Sequence, residues 1–104
     1  MTVWKTTTVT EVPHITLSRW QIYLVDNATM HFVGYNETER EGRVSSSIIR
    51  FDKKQRKGIT RSGRVYQCVG QPGNDLDGHY VWSIWKKINK VLVSENVTKK
   101  WIKN

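Results

Sequence analysis

The sequence predicts an α+β domain: an antiparallel sheet of about four strands in meander order, with one C-terminal amphipathic helix packed on one face. Three observations carry this. Residues 19–35 alternate apolar and polar side chains on either side of a four-residue turn. Residues 79–91 repeat apolar side chains at three- and four-residue spacing. Between them, short apolar runs are separated by polar turns, with no linker, internal repeat or low-complexity tract. At 104 residues the chain fits a single domain spanning 1–104.

The elements follow in order. Residues 1–13 are rich in Thr and Val but alternate poorly, which suggests a weak edge strand or a mobile arm ending at Pro13. His14 to Leu17 continues extended. Arg19 to Val25 is a strand with Trp20, Ile22 and Leu24 on one face and Gln21 and Tyr23 on the other. Asp26-Asn27-Ala28-Thr29 turns, because Asp and Asn side chains bond nearby backbone. Met30 to Tyr35 returns as the second strand, and NETEREG (36–42) is a charged surface loop. Arg43 to Phe51 reads as one strand with a smooth Ser45-Ser46-Ser47 centre. Asp52 to Gly58 is a basic turn. Residues 59–69 are either one strand bent at Gly63 or a short strand, the Ser62-Gly63 turn and a second strand.

Pro72-Gly73 then stops the sheet, and Asp77 is the expected N-cap of a helix from about His79 to Val91. Val81, Ile84, Trp85, Ile88, Val91 and Leu92 form its apolar stripe, with Trp82 off the centre. Lys86, Lys87 and Lys90 suit the negative end of the macrodipole. That stripe and the Trp20–Ile22–Leu24 face are the expected halves of the core. Val97 to Ile102 reads as one more helical turn near Thr98, with Trp101 packed on the body.

Composition narrows the function classes. No apolar run reaches the length of a membrane span, and no secretory signal is evident at the N-terminus. One cysteine, Cys68, excludes an internal disulfide, so a reducing cytoplasm is the expected home. Net charge is +8. Up to residue 50, basic and acidic side chains cancel. Beyond it, the basic residues face only Asp52, Asp75, Asp77 and Glu95, so the excess lies in the second half. Such asymmetry points to an anionic partner, nucleic acid or an acidic protein surface; a solvated basic surface is the bland reading.

The sharpest cluster is Arg50, Lys53, Lys54, Arg56, Lys57, Arg61 and Arg64, opposed only by Asp52. On a β-ribbon these side chains follow a phosphate backbone, and Tyr66 with Phe51 could stack on bases. The expected function is a small, basic, non-enzymatic nucleic-acid-binding domain of the bacterial or phage accessory type. The alternative is a protein-interaction module, an adaptor or inhibitor, using an exposed aromatic such as Trp4, Trp82 or Tyr35, with a homodimer through a sheet edge as one form. A small ribonuclease built from His79, Arg61, Arg64 and Tyr66 is the third reading. No spacing of His14, His31, His79 and Cys68 makes a metal site, and GQPGNDLDG lacks a P-loop's Gly-Lys-Ser/Thr, so neither metal nor cofactor is expected.

Overall fold

The computed structural model describes residues 13–102. The chain runs β1 (His14–Val25), β2 (Thr29–Asn36), β3 (Glu41–Val44), β4 (Ile48–Asp52), β5 (Lys57–Thr60), β6 (Val65–Cys68), α1 (Leu76–Ile88), β7 (Ser94–Asn96) and α2 (Thr98–Ile102). It is an α+β fold: a mixed, mostly antiparallel sheet with the 13-residue α1 packed on its strands. The arm expected over 1–13 lies, Pro13 aside, outside the described residues.

β1 is the hub. The meanders β1–β2–β3 and β4–β5–β6 join where β1 pairs in parallel with β6, giving the order β3-β2-β1-β6-β5-β4. β7 pairs antiparallel with the far end of β1. The single antiparallel meander is thereby corrected. The strand expected over Arg43–Phe51 is two strands, β3 and β4, at opposite ends of that order. The serines between them are the reason. The Ser45 N–H donates to Phe32 O at 2.9 Å, and its hydroxyl accepts the Phe32 N–H at 2.8 Å and donates to Ser46 O at 2.7 Å. Arg61 N–H then donates to Ser47 O, and Ser62 N–H to Ser46 Oγ. Small polar side chains that bond the main chain compete with a continuous ladder. Of the two options for 59–69, the structure has two strands, with Gly63 at φ +90 in the turn between them.

That serine corner requires the sheet to curl. Laid flat, the end strands of six would stand about 24 Å apart, whereas four residue steps span at most about 14 Å. The curl brings Phe51 of β4 against Phe32 of β2, 5.7 Å between ring centroids. Gly58 of β5 leaves room for the same ring, whose edge lies 2.6 Å from where a Cβ would stand.

A bulge in β1 decides what lines the inside of the curl. Strict alternation would put Ile15 and Leu17 on one face and Trp20, Ile22 and Leu24 on the other. The register to β2 shifts between Ser18 and Gln21, with Arg19 at φ +44. The extra residue returns Trp20 to the face of Leu17. With Phe32, Tyr66, Cys68 and Val97 these residues form the inner core, and Phe51, Trp101 and Ile102 pack against it. The Trp20–Ile22–Leu24 face therefore meets α2 rather than α1, contrary to expectation.

Helix α1 covers the opposite face, where Val25, Val33 and Trp82 form an outer core with Tyr23, Val44, Trp85 and Val91. Trp82, expected off the centre of the stripe, widens the buried face: it lies over Tyr23, with 4.6 Å between ring centroids. Ile88, expected within the stripe, is exposed. The first turn of the helix sets this rotation. A Cβ at Gly42 would stand 2.2 Å from Asp77 O, and one at Gly78 would stand 2.8 Å from Gly34 O. Helix backbone thus rests on strand backbone, which only glycine permits. With Gly78 facing the sheet, Val81, Trp82 and Trp85 follow on the same side. The N-cap is Asp75, two residues before the expected Asp77. Its Oδ2 accepts the Gly78 N–H at 2.8 Å, and its Oδ1 accepts Arg19 Nε–H at 2.8 Å. The bulge and the helix start are thereby tied together.

Candidate nucleic-acid interface

The β4–β5 hairpin closes on a turn that spends its one acid internally. Asp52 Oδ1 accepts Lys54 N–H at 2.9 Å and Gln55 N–H at 3.1 Å, and Arg56 adopts φ +53. The carboxylate is drawn to the backbone, and Lys53, Lys54 and Lys57 stand exposed around it. On the strands behind the tip, Arg50 lies opposite Ile59, and both are exposed. Arg61 is exposed in the next turn.

Helix α2 brings further cations to this hairpin. Ile22 holds its start: Val97 N–H donates to Ile22 O at 2.8 Å, and Ile22 N–H donates to Thr98 Oγ1 at 2.9 Å. Trp101 then packs edge-on to Phe51, centroids 6.0 Å apart, and Lys53 Nζ lies 5.5 Å from the centre of the Trp101 ring. Lys99 and Lys100 are exposed on the same short helix, Lys100 within 3.9 Å of the exposed Glu95. A pair in that setting is weak and leaves the lysine available. Lys86 and Lys87 belong to α1, which covers the other face of the sheet, and Lys90 follows just after its end.

Not every predicted site residue faces outward. Arg50, Lys53, Lys54, Lys57 and Arg61 do. Arg56 is half-buried: its Nη1 donates to Gly70 O at 3.2 Å, and its guanidinium lies 5.7 Å from the centre of the Trp20 ring, so it braces the hairpin to the loop after β6. Arg64 is buried. Tyr66 is only 1% exposed and packs on Phe32, so it has no free face for a base to stack on. Its hydroxyl accepts Nε–H of Arg43 at 3.0 Å. Arg43 was read only as a strand residue, yet it is buried, with Nη1 3.8 Å from Glu39 Oε1 and no hydrogen-bond acceptor. No spacing in the sequence announces a guanidinium lying at the end of the inner core. Phe51 is half-buried between Phe32 and Trp101.

Sequence reasoning also missed a cleft. Along β1, a gap separates β6, paired at residues 14–17, from β7, paired at 23–25. The loop after β6 and the start of α2 flank this gap and leave an open cleft of about 750 Å³, lined by Gln21, Pro72, Asn74, Asn96, Lys100 and Ile102 among others. Its walls mix apolar side chains with amides, and Lys99 and Lys100 stand at its edge.

The groups considered for catalysis are kept apart. His79 bonds Gln21 Oε1 at 2.8 Å and sits edge-on to Tyr23, on the α1 side of the sheet. Tyr66 lies in the inner core on the other side. Burial pushes the Cys68 thiol up to about 12, against the pull of the Arg56 charge, so it stays protonated at neutral pH. Among the described residues, no three His, Cys, Asp or Glu side chains converge on a metal position, and no helix is long and apolar enough to cross a membrane. Compared with protein-family models, with curated proteins and with solved structures, the chain matches none.

Proposed function

We propose that this protein is a non-enzymatic nucleic-acid-binding domain, whose interface is the tip of the β4–β5 hairpin together with α2. The observation that carries the reading is Lys53 over Trp101, which joins the hairpin cations to Lys99 and Lys100 in one surface. Asp52 is the single acid of that turn against Lys53, Lys54 and Lys57, so the local field stays positive. Each phosphate neutralised by such a surface releases a counterion, and association gains from that entropy. Arg50 and Arg61 extend the track along the ribbon. The adjoining cleft, with Pro72 and Ile102 on its walls, offers an unstacked base a partly apolar seat, which favours single-stranded over duplex ligand.

The test is fluorescence anisotropy with short single- and double-stranded DNA and RNA at two salt concentrations. Single strands bind in the micromolar range and affinity falls steeply with salt. In Lys53→Ala/Lys54→Ala/Lys57→Ala the affinity falls about tenfold at low salt, and the salt dependence flattens by about two to three charges. Absence of binding at low salt, or a variant that binds as well as the parent, refutes the reading.

A further inference from the structure

The C-terminal end of α1 presents apolar side chains to water on a backbone that is firmly held. Ile88 is 56% exposed, Val93 57% and Leu92 90%. Single exposed apolar residues need no explanation, but the consecutive pair Leu92–Val93 on a braced backbone does. The brace is Asp26, at φ +49 in the turn between β1 and β2. Its Oδ1 accepts Leu92 N–H at 3.0 Å and Val93 N–H at 2.8 Å, and its own N–H donates to Val93 O at 2.8 Å. One residue earlier, Val91 N–H donates to Lys86 O at 3.0 Å, and the Val91 side chain enters the outer core. Residues 91–93 are therefore tied at every step. Leu92 and Val93 are offered in fixed positions, so a partner binding there meets little ordering cost.

Beside them lies a groove of about 420 Å³, lined by Ser83, Lys86, Lys87, Lys90, Val91 and Leu92 with Ser94. Lysines and apolar side chains line it together, with no carboxylate among them. Lys86 is positioned with Nζ 5.2 Å from the centre of the Trp82 ring.

We propose that this surface docks an acidic amphipathic segment of a partner protein. The segment's apolar side chains cover Leu92 and its neighbour Val93, and its carboxylates meet Lys86, Lys87 and Lys90. Charge decides among occupants. A second copy brings the same lysines and a net charge of +8, which repel. Shape decides further, because a concave groove receives a chain of helix or strand width better than a flat bilayer does. The inference stands apart from the nucleic-acid reading, since it uses the other face of the sheet.

The test uses the full chain and a fluorescein-labelled helical peptide of about four turns, with Leu on one face and Glu on the other. A control peptide carries Gln at every Glu, and vesicles of mixed phosphatidylcholine and phosphatidylserine form the second arm. The acidic peptide binds in the micromolar range, and the Gln peptide binds at least tenfold more weakly. Leu92→Ser and Lys87→Glu/Lys90→Glu each weaken binding about tenfold while keeping the parent circular dichroism and Tm, since these side chains are exposed. Asp26→Ala, which frees the 92–93 backbone without touching the surface, weakens it by a smaller factor. Amide shifts on titration fall within residues 83–94. Absence of peptide binding, equal binding by Leu92→Ser, or shifts centred on the β4–β5 hairpin overturns the proposal. Leu92-dependent sedimentation with anionic vesicles and no peptide binding overturns it in favour of a membrane surface.

Discussion

The hairpin tip and the end of α1 carry the same charge in different company. Around Lys53, Lys54 and Lys57 the neighbours are the Asp52 carboxylate, the ring of Trp101 and the α2 lysines. Lys86, Lys87 and Lys90 share a groove with Val91 and Leu92, and Leu92 stands exposed on a braced backbone. As a string of letters both are basic clusters. In space one is a charged track suited to phosphates, and the other is an apolar anchor among lysines. The difference shows that a positive patch takes its meaning from what stands beside it, since charge sets field and on-rate while apolar contact sets most of the affinity.

The largest expected effect separates the two surfaces by moving only one. Gly42→Ala places a Cβ within 2.2 Å of Asp77 O and must lift the start of α1. It costs about 2–3 kcal/mol in urea unfolding, as other overpacked sites do. Below its Tm the variant retains hairpin-dependent nucleic-acid binding, and peptide binding weakens, because Lys86 and Lys87 move with the helix while Asp26 still holds residues 92–93. Equal loss of both activities would mean that the faces are not independent.

A smaller effect exchanges the two activities by charge alone. Lys86→Ala/Lys87→Ala/Lys90→Ala leaves nucleic-acid affinity within about twofold, and Lys53→Ala/Lys54→Ala/Lys57→Ala does the same for the acidic peptide, each triple acting about tenfold on its own ligand. Reciprocal anisotropy titrations measure this directly.

The smallest effect is a pH dependence lodged on the α1 side. Burial lowers the pKa of His31 from 6.5, and the Nδ1–H bond to Ser45 O at 2.8 Å offsets this only in part. Because the folded value is the lower one, the unfolded chain takes up the proton first as pH falls below 6.5. The neutral ring's contribution is fully present above 6.5 and is lost on descending toward the folded-state value. His31 packs on Trp85 at 4.7 Å between ring centroids, so its protonation opposes the packing of α1 on the sheet. Thermal melts between pH 7.5 and 5 show a falling Tm that is shallower in His31→Gln.

Local signals were legible where one element settles its own form. The 19–35 hairpin, the basic turn at Asp52, the helix before Lys86 and the packing of Trp101 all follow from periodicity and turn chemistry. What the sequence hides is whatever depends on a distant partner. Ser45–Ser47 read as a smooth strand centre, because nothing local reveals that Phe32 and the β5–β6 turn compete for their backbone groups. The bulge at Arg19 hides because a one-residue parity shift leaves both halves of β1 apolar in alternation. The rotation of α1 was set by Gly34, Gly42 and Gly78, three residues with no side chain to enter a hydrophobic pattern. For the candidate interface, exposure of the hairpin tip followed from its polarity. The burial of Arg64 and Tyr66 and the approach of Lys53 to Trp101 required the curl.

The parallel pairing of β1 with β6 also bears on how the protein is made. His14 finds its partner only at Val65, and Val25 finds Ser94 later still. During synthesis the first meander can form early, but one edge of the 12-residue β1 stays unsatisfied until most of the chain has left the ribosome. An open edge of that length invites pairing with neighbouring nascent chains. Until residues 65–68 arrive, residues 14–17 lack their partner on that edge, and slowing translation just upstream of that segment lengthens the interval.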